Sequence, residues 1–393
     1  QTGVTDFSSL VSLTEEEQAS AVLTNLQAEA QGNGDIVLAA KAEYSNSTDQ
    51  MITEFAQKAN VTGSVPRMVT ASVDSEGTLD AKGNLQLTAE ATNGNLDLAR
   101  KLAADDVAAG KKFAGDSVQA DDASGIAKTY AGVSVGGSVT AGNAVTLRAE
   151  ANNTYIDNGK TVADKISNAI GMVIPVSVDA GVLNNEAAVT IGKDASVTGK
   201  TVAAEAKAVV EAGVGAESSA MLIPSSSPTP IPAFAATYAK VTNNAGVTVD
   251  GSVRASGADT DTNAAVHVAA SAKSNTTNTA TVSQTDSAKG IILESGTSNV
   301  AAALAVTKHE NNARVNLNGT IEAEAGSVKA ESDVLNQLTS SAKSEGSDQY
   351  VLLGAAVDVF LHDSTASIDQ QGTIRANKDV QLLSTNTMDK NNH

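Results

Sequence analysis

Cysteine and tryptophan are absent from this chain of 393 residues, and aromatics make up only 3 % of it. Without Cys there is no disulfide framework and no thiolate metal site. With five Phe, five Tyr and no Trp, the chain lacks the large side chains from which a compact globular core draws much of its burial. Positive charge is scarce too: 26 basic residues against 45 acidic ones leave a net charge of −19. That disfavours nucleic acid, which demands basic patches, and anionic membrane surfaces. The acids are scattered, which suits the solubility of a long exposed surface better than an acidic functional patch. Long apolar runs are also missing. The most apolar stretch, Ala169 to Leu183, is broken by Pro175, Ser177 and Asp179, so no membrane insertion is expected. No signal peptide is legible at Gln1, and a start without Met points to a fragment or a mature segment.

What the chain has instead is Ala, Val, Thr, Ser, Asn and Gly, with 41 % hydrophobic residues overall. Its length would allow two or three ordinary domains, but small and β-branched side chains suit a thin, stacked core. A repeat is legible. Its clearest copy is Gly137-Ser-Val-Thr-Ala141 followed by Val145-Thr-Leu-Arg-Ala149. Gly77-Thr-Leu-Asp-Ala81, Gly251-Ser-Val-Arg-Ala255, Gly319-Thr-Ile-Glu-Ala323 and Gly372-Thr-Ile-Arg-Ala376 repeat the first half. Weaker copies surround Leu26 and Val197. The first apolar positions are Leu26, Leu79, Val139, Val197, Val253, Ile321 and Ile374, seven copies spaced 53 to 68 residues apart. Before many copies stands a second apolar pair, such as Val189-Thr-Ile191 or Val315-Asn-Leu317, and before that a more hydrophobic run such as Val300 to Val306. The run ends at Asn184-Asn185, Asn243-Asn244 or Asn311-Asn312, which read as polar turns.

Period-two alternation gives each strand one buried and one wet face. The repeats carry no helical stripe long enough for a crossover helix, so the fold class is all-β. Like strands recurring at long intervals fit a right-handed parallel β-helix, a β-solenoid in which each strand pairs with its counterpart one coil along. Residues 1–393 then form a single continuous solenoid segment of seven degenerate repeats. At roughly 20 residues per coil, each repeat holds two coils with longer loops or three tight ones, and the rod is roughly 70–95 Å long. Three insertions interrupt it, near 96–115, 161–168 and 224–232. The first two read as short helices or loops, and Pro224 to Pro232 as a stiff extended loop.

The run from Val300 to Val328, with Ala302, Leu304, Val306, Asn311, Asn312, Val315 and Leu317, resembles the repeats of leukotoxin-type filamentous adhesins. These are large surface proteins of Gram-negative bacteria, related to the filamentous haemagglutinins exported by two-partner secretion. The resemblance covers most of residues 20 to 390. It implies a secreted passenger segment on the bacterial outer cell surface, acting in cell adhesion, and it transfers no binding residue.

A search for chemistry yields no catalytic, cofactor-binding or metal-ligating residue, and no cofactor is expected. None of the four histidines, His267, His309, His362 and His393, stands in a zinc-binding pattern. His267 alternates with Val266 and Val268 and so faces outward, while His309 and His362 read as surface turn residues beside Asn311-Asn312 and Ser364-Thr365. Asp105-Asp106 and Asp121-Asp122 are the nearest approach to a glycosidase carboxylate pair, but no aromatic platform accompanies them. No calcium-loop pattern occurs; Asp259-Thr-Asp261 and the Asp121-Asp122 pair are open to an ion but read better as solvated loop acids. Gly132 to Gly142 lacks the Lys of a phosphate loop. The expected role is a non-catalytic structural and adhesive stalk of an exported surface filament. Its partner would be a receptor or glycan on a host or neighbouring cell, and end-to-end self-association is open to it. The alternatives are a β-helix enzyme on polysaccharide, a self-assembling filament subunit, or the stalk of a toxin.

Overall fold

A computed structural model describes residues 17–30, 32–44, 67–94, 124–158, 176–220, 222–223, 229–230, 233–260, 264–284, 299–345 and 352–392. The described residues contain strands and no helix. Three seven-stranded parallel sheets run through the stack. Each coil contributes one strand to a leading sheet, a short strand to a bridging sheet and one strand to a return sheet. In the sixth coil these are Asn299–Leu317, Thr320–Ala323 and Val328–Glu345. The chain is thus the expected parallel β-helix, with each strand paired to its counterpart in the next coil.

The size of a coil differs from expectation. Each repeat of 53 to 68 residues is one coil, not two or three. The reason lies at Asn184-Asn185, Asn243-Asn244 and Asn311-Asn312, which are not turns. They sit within unbroken strands, Val176–Ile191, Ala233–Val249 and Asn299–Leu317, so the hydrophobic run and the apolar pair after it form one strand of 16 to 19 residues. The rod is correspondingly short. Seven coils make six steps, roughly 29 Å in all at about 4.8 Å each. The longest strand, Thr201–Ala220 with 20 residues, is by contrast about 65 Å long.

Register confirms the bridging motif. Leu79 pairs with Val139, Val139 with Val197, Val197 with Val253, Val253 with Ile321, and Ile321 with Ile374. The first copy is shifted by two residues: Ala28, not Leu26, stands beside Leu79. The Gly that opens the motif in five of the coils has a steric cause. A Cβ on Gly137, Gly319 or Gly372 would collide with the carbonyl oxygen of the glycine one coil below, Gly77, Gly251 or Gly319. In these two-residue turns a residue without a side chain lets the turns stack at sheet spacing, whereas the longer turn of the fourth coil, Gly192 to Ala195, accommodates Ala195 at that place.

The leading and return sheets face each other, and the bridging sheet closes one end. Val, Leu and Ile fill the core beside the bridging sheet, including Leu79, Leu147, Leu317 and Ile321. Far from it the core is built mostly of Ala, such as Ala233, Ala235, Ala280, Ala301, Ala303 and Ala305. Between these regions runs a band of buried polar residues. The scarcity of aromatics follows from this thin interior. Of the insertions, 96–115 and 161–168 lie outside the described residues. In the third, Thr229–Pro230 pairs antiparallel with Leu222–Ile223. The remaining residues of 224–232 lie outside the described residues, and Pro230 is tolerated because the two-residue ladder has no central strand.

Candidate functional site

Three polar constellations are built into the stack, and each crosses coils. The first is the interior band. Asn185, Asn243 and Asn311 are aligned in the leading sheet and all but completely buried. Asn185 Nδ2 donates to Asn243 Oδ1 at 2.8 Å, and Asn243 Nδ2 to Asn311 Oδ1 at 2.9 Å. Asn311 Nδ2 passes the chain across the core to Asn336 Oδ1 at 2.7 Å. The same amides donate to return-sheet carbonyls, Asn185 to Ala151 and Val209 and Asn243 to Lys273. Stacked amides thus satisfy one another along the axis and tie the two long sheets together.

Two residues before Asn311 in the same strand, His309 is fully buried. The expectation of a surface turn fails here because the strand continues through the Asn pair. His309 occupies the ladder position of Leu183 and Val241 in the preceding coils. Its Nε2 lies 2.7 Å from Ser274 Oγ, and its Nδ1 lies 3.1 Å from Nδ1 of His362 in the seventh coil. His362 Nε2 in turn lies 3.1 Å from Ser364 Oγ. His362 is thus inward-facing and only half-buried, again in a strand rather than a turn. Burial, reinforced by the neighbouring His362, pushes the His309 imidazole down to a pKa of about 3.

The second constellation decorates the outer face of the return sheet. His267 projects outward, as its alternation with Val266 and Val268 foretold, and stands between two carboxylates. Nδ1 is 3.5 Å from Glu205 Oε1 in the coil before, and Nε2 is 2.9 Å from Glu331 Oε2 in the coil after. Glu205 first, and then Glu331, raise the imidazole pKa against the opposing effect of burial. Beside it, burial pushes the Glu150 carboxyl up, but Lys207 at 3.0 Å and Arg148 more than offset this and hold it low.

The third constellation is a carboxylate clip between the bridging and return strands. Asp259 accepts from the backbone N–H of Ser327 at 2.6 Å and of Ala265 at 3.0 Å, and from Ser327 Oγ at 3.0 Å. Lys378 Nζ approaches it at 3.3 Å. The Ser327 backbone donor is the largest influence, and burial opposes it; the carboxyl is held at a pKa of about 2. Asp259 is therefore a turn clamp that touches three successive coils. Its sequence neighbour Asp261, and Asp105, Asp106, Asp121, Asp122 and His393, lie outside the described residues.

Among the described residues no three His, Asp or Glu side chains gather as a metal centre, and no helix is long and apolar enough to cross a membrane. The turn at Gly136-Gly137 stacks on Glu76 and Gly77 rather than framing a phosphate loop. Sequence reasoning missed the buried His–Ser–Asn band. The signal that could have found it is the recurrence of Asn two residues past an inward position in three aligned runs. No family model matches the chain, and neither does any curated protein or solved structure.

Proposed function

We propose that the chain is a non-catalytic structural and adhesive stalk segment of a surface filament exported by a Gram-negative bacterium. The observation that carries this reading is the organisation of the three polar constellations among the described residues. The amide band, the His267 carboxylates and the Asp259 clip each join successive coils. The polar chemistry is spent on holding a stack together, and the wet faces of the long sheets are left to meet a cell-surface receptor or glycan. The test is to label the purified chain and apply it to host cells and to bacterial cells, with a panel of acidic polysaccharides incubated in parallel. Retention on cells with polysaccharide length unchanged is the expected outcome. Shortening of any polysaccharide by the chain would overturn the reading in favour of an enzyme.

End-to-end assembly is a second reading with its own support. Val380 and Leu382 of the seventh coil align with buried Val328 and Ala330, yet are 48 % and 44 % exposed. A further coil in the same register, whether of the same chain or of another copy, would cover them, and unpaired strand edges favour such addition. Electron microscopy distinguishes continuous fibres, which support it, from separate short rods, which exclude it.

A further inference from the structure

His309 and His362 are placed one above the other by the ladder that joins the sixth and seventh coils. Their ring centroids are 5.1 Å apart while their Nδ1 atoms are 3.1 Å apart. The two nitrogens therefore lie between the rings and point at each other. This is the geometry of an N–H···N hydrogen bond, not of a face-to-face stack. Such a contact needs one nitrogen with a proton and one without. The outer nitrogens do not fix which is which, because Ser274 and Ser364 carry hydroxyls that donate or accept as needed. Two neutral imidazoles thus satisfy all four ring nitrogens with a single proton between them. A first additional proton preserves the N–H···N contact but places a charge in the core. A second sets N–H against N–H.

No described residue that faces the His309 ring from another strand carries a compensating charge. From the opposing strands the inward neighbours are Ser274 and Thr276 in the fifth coil, Val334 and Asn336 in the sixth, and Asn386 and Met388 in the seventh, none of them ionisable. Val241 and Asn243 of the leading sheet are likewise neutral. The one described carboxylate on the same inner face is Asp358, four residues earlier in the strand and engaged by the Ser340 hydroxyl. Lys308, Glu310 and Asp363 occupy the alternate, outward positions.

We propose that the His309–His362 pair is an acid-sensitive latch between the sixth and seventh coils. It closes while one facing nitrogen is unprotonated and opens when both carry protons. The sign follows from linkage. A buried imidazole whose pKa is depressed binds fewer protons in the closed state than in the open one, so acidification below the ordinary histidine range favours opening. The consequence is local release of the leading strand Leu352–Gln370 in acid, with the earlier coils still stacked. Acid exposure would thus uncover the inner face of that strand and the edge of the sixth coil. This holds whether or not the chain is a stalk.

Amide hydrogen exchange of the whole chain, corrected for intrinsic rates, tests the latch. Between about pH 7.5 and about pH 4.5, protection in Leu352–Gln370 is expected to fall at least tenfold while Arg67–Asn93 keeps its protection. His362→Gln, which takes away the facing nitrogen but leaves His309 buried, should shrink that difference, and the double variant His309→Gln/His362→Gln should abolish it. Equal protection at both pH values, or a loss spread evenly over all coils, would overturn the proposal. Histidine 15N spectra of the unaltered chain give an answer that needs no variant. One Nδ1 proton shared between the two rings at neutral pH is expected, and two rings titrating independently in the ordinary range exclude the latch.

Discussion

A missing side chain sets the geometry of each turn. Gly319 lies so close to the Gly251 carbonyl that a Cβ has no room, whereas Gly246, mid-strand and outward, has nothing within 4 Å of its Cβ position. Gly319→Ala should therefore cost about 1–3 kcal/mol through forced displacement of the turn. Gly246→Ala should be neutral or mildly stabilising, since the extended backbone suits Ala and the unfolded chain loses freedom. Urea midpoints of the two variants would show this opposition, and equal losses would refute the steric account. The same scale shows what could be read in advance. Gly-x-Val-x-Ala announced the bridging strand and its register, because turn sterics and period-two burial are local. His309 could not be placed that way. Its neighbours Asn311 and Asn312 are strong turn formers, and only the amides of other coils, far away in sequence, make an extended backbone better for them.

At the scale of the strand, the amide ladder should outweigh ordinary surface hydrogen bonds. Asn243→Leu leaves the Asn185 amide without its Oδ1 partner and buries the Lys273 carbonyl without its side-chain donor. A loss of about 2–3 kcal/mol is expected from such unmet groups. Asn244→Leu, one residue on and facing outward, gives up a contact with Asn312 at 3.1 Å and should cost less than about 0.5 kcal/mol. Denaturant titration separates the two. The Asp259 clip makes a pH prediction. A carboxyl held at about 2, below its ordinary value of 3.8, stabilises the fold above the unfolded value and ceases to do so as pH falls through about 2. Asp259→Asn should lower stability at neutral pH by about 1.5–3 kcal/mol, as for a charge-assisted hydrogen bond, and the deficit should close near pH 2. His267 runs the other way. Its raised pKa means that its ion pairs stabilise below the ordinary histidine value and weaken as pH rises through the folded one. His267→Gln should cost up to about 1 kcal/mol in mild acid and less in alkali, as read by thermal melting at the two pH values.

For the whole molecule, the fold behaves as a one-dimensional array in which each coil packs chiefly on its neighbours, the reach of Lys378 past the sixth coil to Asp259 being an exception. Deleting residues 251–318 joins Asp250 to Gly319 and brings Val202 opposite Val328, a match of like inward positions. The shortened chain is expected to remain folded, with unchanged β content per residue by circular dichroism and a lower melting temperature. Collapse to an unfolded or aggregated state would show that coils are not interchangeable. The parallel β class and the count of repeats were legible because inward apolar positions recur in step. The number of coils per repeat was not, since it depends on whether Asn-Asn ends a strand, and tertiary amide stacking decides that against local propensity.

The amide ladder has a direction. Asn185 gives its hydrogen to Asn243, and Asn243 gives to Asn311, while Asn185 Oδ1 receives none. Each amide dipole in the row therefore points the same way, and the stack is an arrow whose tip and tail differ chemically. The row stops at Thr129 of the third coil on one side and at Ser364 of the seventh on the other. The interior of the stack thus carries a polarity along its axis that is set by side chains, in addition to that of its parallel strands.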